Sequence, residues 1–176
     1  MHLAYVMTQE RGATDRLLSA FADALAKQGV RTAGIVQTNT ECADDRLCDM
    51  DVQVLPDGAV FRISQSLGRE ARGCRLDPTA LEEAVGLVTN SLTEAARPQL
   101  LIVNKFGKHE ADGRGMRPVI GEAMAQGIPV LTGVNRLNRE KFEAYSDGAA
   151  IELEPSLEAL KTWLDSVLAE TEADVA

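Results

Sequence analysis

The chain has 176 residues, 45% of them hydrophobic, 26% charged and only 4% aromatic, a balance that fills one domain core and suits helices on a sheet better than an all-β sandwich. Its formal charge of -9 is concentrated in residues 140–176, which hold ten acidic against two basic side chains; the rest is nearly neutral, and nothing offers the basic face that duplex nucleic acid requires. No apolar run approaches the roughly 18 residues of a membrane span, the start carries no charged cleavable leader, and Cys42, Cys48 and Cys74 form no CxxC pair, so the expectation is a cytoplasmic protein with reduced thiols, without nucleic acid as a partner or insertion into a membrane.

His2 to Met7 reads as a buried strand, followed by a polar turn and an amphipathic helix from Thr14 to Gln28 whose stripe is Leu17, Leu18, Phe21, Ala24 and Leu25. Gly29 stops that helix, and Arg31 to Gln37 is the next strand. Val52 to Leu55 and Ala59 to Ile63 flank Pro56-Asp57-Gly58, the signature of a hairpin, and Ser64 to Arg75 lacks apolar periodicity and reads as a loop. Asp77-Pro78 opens a helix that runs to Ala96, and Gln99 to Val103 is a strand followed by a polar loop. Gly113 to Gln126 is predicted as a helix, Ile128 to Val134 as a strand, Arg136 to Tyr145 as a short helix, Ala149 to Leu153 as a strand and Ser156 to Glu170 as the last helix.

This alternation predicts an α/β fold with a mainly parallel, doubly wound sheet and a small inserted β-hairpin near residues 48–64. Residues 1–170 form the single domain, and residues 171–176 form a frayed acidic tail. Doubly wound sheets bind ligands just outside the carboxyl ends of their strands, which selects three loops: Thr8 to Thr14, Ser64 to Arg75 and Asn104 to Gly115.

In the first loop, Gly12-Ala13-Thr14 stands where a P-loop carries Gly-Lys-Thr. The layout is P-loop NTPase-like, but the lysine is replaced by Ala13, a degenerate Walker A. Backbone amides at a helix start can hold an anion, with Thr8 and Gln9 beside them and Arg11 and Arg16 as the sources of charge; alternatively Gly12 and Thr14 only turn the chain and cap the helix. In the third loop, Asn104 and Lys105 occupy the end of a strand where an aspartate would hold magnesium. Lys105, Gly107, Lys108 and Arg114 concentrate cations and glycines before a helix, as an anion site does, unless Lys108, Glu110, Asp112 and Arg114 neutralise one another in solvent. In the middle loop Arg69, Arg72 and Arg75, with Ser64, Gln65 and Cys74, either form an oxyanion-binding lid or pair at the surface with Glu70 and Asp77. His109 and Cys74 are assigned no catalysis.

Gln9 to Leu18, Gly34-Ile35-Val36-Gln37, Ile63-Ser64-Gln65, Gly73-Cys74-Arg75-Leu76-Asp77 and above all Asn104-Lys105-Phe106-Gly107-Lys108 with Glu110, Gly113, Arg114 and Gly115 resemble the bacterial family called Domain of Unknown Function 2478. The resemblance spans nearly the whole chain and implies an NTPase-like fold, a place for Gln37 in the site, and a part in molybdate or tungstate handling beside molybdenum-transport or molybdoenzyme components. The expected ligand is a small oxyanion or a nucleotide. Three functions compete: an accessory binding protein, a slow nucleoside triphosphatase that recruits Lys105 or Lys108, and a regulatory protein-interaction domain; a homodimer is compatible with all three.

Overall fold

The short apolar runs become the middle of a seven-stranded sheet in a computed structural model that describes residues 2–39, 49–65, 76–93 and 97–175. In chain order the elements are β1 (Leu3–Val6), α1 (Ala13–Lys27), β2 (Thr32–Asn39), β3 (Met50–Val54), β4 (Val60–Arg62), α2 (Pro78–Leu92), β5 (Leu100–Phe106), α3 (Lys108–Ala111), α4 (Arg117–Ala125), β6 (Val130–Val134), a 3-10 turn (Arg136–Asn138), α5 (Arg139–Ser146), β7 (Ile151–Leu153) and α6 (Leu157–Val175). The strand order is β4-β3-β2-β5-β6-β1-β7. From β2 to β7 the pairs are parallel, and the β3–β4 hairpin joins the free edge of β2 antiparallel.

Strands buried on both faces read as continuous apolar runs because helices cover each side. On one face α1 and α6 bring Leu18, Phe21, Ala22, Leu25, Leu160 and Leu164 onto Ala4, Val6, Ile102 and Leu131. On the other, α2, α4 and α5 bring Leu81, Val88, Ile120 and Phe142 onto Leu3, Leu101, Val103 and Val130. Burying a side chain such as Phe21 contributes about 2–3 kcal/mol.

Several boundaries differ from expectation. The buried stripe of α1 uses Ala22 rather than Ala24, because Ala22 shares the face of Leu18 and Leu25. Helix α2 stops at Leu92, with Thr93 as its cap, instead of reaching Ala96; residues 94–96 lie outside the described ones. Strand β5 runs on to Phe106 instead of ending at Val103, since Phe106 is fully buried and packs edge-on against Phe142, ring centres 5.1 Å apart. The helix expected from Gly113 starts only at Arg117, as α4, after a glycine turn in which Gly113 and Gly115 have positive φ, and the segment expected to be a polar loop holds the short helix α3. Helix α6 continues to Val175, through residues expected to fray. Among the described residues no helix is long and apolar enough to cross a membrane.

Gly34 shows how tightly β2 and β5 approach: its φ is 114°, and a Cβ there would run into the backbone carbonyl of Ile102. Gly34→Ala should therefore cost about 3 kcal/mol. Gly86, on the exposed side of α2 with open space around it, should gain about 0.5–1 kcal/mol when changed to Ala. Urea denaturation of both variants checks the pair.

Candidate functional site

The first loop leaves β1 at Val6 and enters α1 through Gly12, whose φ of 76° is a left-handed turn that favours glycine. Gly12 provides no side-chain cap, so the first-turn amides of α1 keep their partial positive charge at the carboxyl edge of the sheet. The loop is closed by a 2.8 Å hydrogen bond between the hydroxyls of Thr8 and Thr14 and by the amide of Ala13 donating to the carbonyl of Glu10 at 3.3 Å. Arg16 is drawn to Glu10, 2.7 Å away at the exposed rim, rather than standing free for a ligand. Arg11 remains exposed.

Behind the loop lies a polar network that sequence analysis missed. Asp15, only 5% exposed, accepts hydrogen bonds from Asn104 Nδ2 at 2.9 Å and from Asn39 Nδ2 at 2.8 Å. Asn104 Oδ1 accepts from the amide of Gln37 at 3.0 Å, and Gln37 Nε2 donates to Asn39 Oδ1 at 2.7 Å. Lys105 Nζ stands 3.7 Å from Asp15 Oδ1. The network joins α1, β2 and β5. Gly133 on β6 makes room for it: a Cβ there would strike the Asn104 carbonyl and press on the Thr14 methyl.

The third loop is built around an anion, but the anion is its own. Glu110 is 5% exposed and accepts from the amides of Gly107 at 2.9 Å and Met116 at 3.2 Å. Gly115, with a φ of 58°, lies so close to that carboxylate that a side chain would collide with it. Glu82 takes the Gly115 amide at 3.2 Å and stands 3.4 Å from His109 Nε2. The alternative in which Glu110 is neutralised in solvent does not hold for this residue, because its buried carboxylate takes two amides instead; Arg114 and Asp112 do pair at the surface, 3.9 Å apart. Arg117 caps the loop by donating toward the Glu110 carbonyl at 3.4 Å while lying over the Tyr145 ring. Burial pushes the Tyr145 hydroxyl above its ordinary pKa, with Arg117 opposing.

In the middle segment Ser64 accepts from the Met50 amide at 3.1 Å, closing the hairpin, and Gln65 Nε2 donates to the Leu76 carbonyl at 2.9 Å, tying it to the approach of α2. Arg69, Arg72, Arg75 and Cys74 lie outside the described residues, as do Cys42 and Cys48.

Two cavities open beside these loops. One of about 490 Å³ is lined by Thr8, Gln9, Glu10, Arg11, Gly12, Thr14, Asp15, Lys105 and residues 133–137. The other, about 480 Å³, lies between the hairpin, the start of α2 and the third loop, where Gln37, Asn104, Lys105, Gly107, Lys108 and Arg114 edge an apolar floor of Ile35, Val52, Ile63 and Leu81. Lys105 borders both. Lys105 and the Asp15–Asn104 pair lie between the two cavities, Asp15 lining the first and Asn104 the second, while residues 66–75 of the middle loop lie outside the described ones. Ala13 serves as the first residue of α1, and Arg16 lies on the rim. Arg136 and the largely exposed Leu137 enter the first cavity unforeseen. Their signal was positional: they follow a buried strand at the sheet's carboxyl edge. Asp15 also carried one, since it stands three residues before Leu18 on the apolar stripe of α1.

Comparison with known proteins adds the following. The family described as Protein of unknown function (DUF2478) matches residues 3–163. A protein named Molybdenum import ATP-binding protein ModC 2, from Bradyrhizobium diazoefficiens, is 33% identical over 163 residues, which cover 92% of this chain and 18% of that protein. The chain thus spans about a fifth of that relative's length. Two solved structures share the fold: a human cancer-related nucleoside triphosphatase, with a TM-score of 0.63, 16% identity and 98% of each chain covered, and THEP1 from Aquifex aeolicus, with a TM-score of 0.60, 14% identity, and 96% of this chain and 98% of that one covered.

Removing the two internal carboxylates should be costly. Glu110→Ala orphans the Gly107 and Met116 amides and Asp15→Ala orphans the Asn39 and Asn104 amides, each at about 2–4 kcal/mol. Denaturant melts read these losses, and a change under about 0.5 kcal/mol at Asp15 would mean that the network contributes little.

Proposed function

The chain belongs to the DUF2478 family, and from that premise we propose that it is a non-catalytic binding protein whose first cavity holds the phosphates of a nucleotide or a tetrahedral oxyanion such as molybdate or tungstate. The observation that carries the proposal is the meeting, at the carboxyl ends of β1, β5 and β6, of the Gly12 turn with Arg11, Lys105 and Arg136 around one open cavity. Among the described residues neither Arg11 nor Arg136 has an ion-pair partner, so their charge is free for a ligand. The amides at the start of α1 favour the same negative charge, by about 0.3–2 kcal/mol.

Hydrolysis is disfavoured by the same residues. A P-loop enzyme uses a lysine after the glycine and an acid at the end of the Walker B strand; Ala13 and Asn104 stand at those places. Asn104 is moreover committed to Asp15 and to the Gln37 amide. The fold shared with nucleoside triphosphatases supports a nucleotide as ligand, and the name of the curated relative supports molybdate and a partner in molybdenum import.

Calorimetry with ATP, GTP, molybdate, tungstate and sulfate tests the proposal. At least one anion should bind at millimolar concentration or below, and Arg11→Ala or Arg136→Ala should weaken it about fivefold, the equivalent of roughly 1 kcal/mol. Silence from every anion would reject the binding function. Phosphate release from ATP or GTP that disappears in Lys105→Ala would reject its non-catalytic part.

A further inference from the structure

The nucleoside-triphosphatase fold implies magnesium, and the residues present do not fit it. Magnesium at a P-loop takes the hydroxyl of the loop Ser/Thr and an acidic oxygen from the facing strand. Here the Thr14 hydroxyl is engaged with Thr8 at 2.8 Å. The strand position is Asn104, whose oxygen accepts from the Gln37 amide and whose nitrogen donates to Asp15. Asp15 is the one carboxylate buried in this cavity's wall. One of its oxygens accepts from Asn104 and faces Lys105, and the other accepts from Asn39. A dication would have to displace those donors and sit against the Lys105 ammonium.

The charges are also exchanged between the two elements. A P-loop site has its base at the start of the helix and its acid at the end of the strand; here the acid, Asp15, is on α1 and the base, Lys105, is the last residue but one of β5. Lys105 is 42% exposed, while Asp15 is held by two other donors, so the ammonium can turn to an incoming anion without leaving Asp15 bare. Building on the proposed binding function, we infer that this site is a charge-exchanged P-loop that takes its anion free of magnesium, with Lys105 as the cation that meets it.

Calorimetry in EDTA and in excess magnesium chloride, with ATP and inorganic molybdate as probes, tests this on the wild-type chain and on Lys105→Ala and Lys105→Gln, each checked for an unchanged melting profile. ATP should bind about fivefold or more tighter in EDTA, where it carries its full charge. Molybdate binding should not respond to magnesium. Each probe that binds should lose about tenfold in affinity in both Lys105 variants. Tighter ATP binding with magnesium, or unchanged affinity in folded Lys105 variants, overturns the inference while leaving anion binding itself intact. If neither probe binds in either buffer, the binding function proposed above fails and this inference falls with it.

Discussion

A buried carboxylate at the first turn of α1 holds the functional edge of this molecule together. Asp15 gathers Asn39 from β2, Asn104 from β5 and the ammonium of Lys105 into one network. An acid removed from water must be hydrogen-bonded or paired to be tolerated, so β2 and β5 are fixed relative to α1 and the Gly12 turn. Gly133 completes the constraint, because only a residue without a Cβ lets β6 pass Asn104 and Thr14 so closely. The shape of the first cavity follows from these contacts.

The same device recurs in the third loop, where Glu110 collects the amides of Gly107 and Met116. Loops rich in glycine and cations can thus be organised by acids of the chain itself. Glu10 takes Arg16, Asp15 faces Lys105, and Asp112 takes Arg114. What stays available in the first cavity is Arg11, Arg136, the α1 amides, and a lysine whose partner is already satisfied by other donors. The proposed binding without turnover rests on that inventory, since charge is kept for an anion while Ala13 and Asn104 stand where a P-loop enzyme has its lysine and its acid.

Much of the fold was legible because its signals are local. Apolar runs four to seven residues long, Gly29 and Gly127 at helix ends, Asp77-Pro78 at a helix start and Pro56-Asp57-Gly58 between short strands each carry their own physics. Of the residues that line the first cavity, the sequence marks Thr8, Gln9, Arg11, Gly12, Thr14 and Lys105, but a motif covers only Gly12 to Thr14. Asn104 and Lys105 read as loop residues because they are polar; burial of Phe106 beneath Phe142 extends the strand through them. Asp15 resembled an ordinary first-turn acid, and its partners are 24 and 89 residues away in sequence. Arg136 belongs to no motif at all. That Lys105 borders two cavities rather than one follows from tertiary packing, which spacing does not encode.

The most direct measurement is a crystal structure of the chain with a non-hydrolysable ATP analogue grown in EDTA. The account predicts phosphate density against the Gly12 turn and the start of α1, with Lys105 Nζ drawn from Asp15 to within hydrogen-bond distance of a phosphate oxygen. Phosphates seated instead beside Lys108 and Arg114 in the second cavity, or a divalent ion on Asp15 in a crystal grown with magnesium, would contradict it.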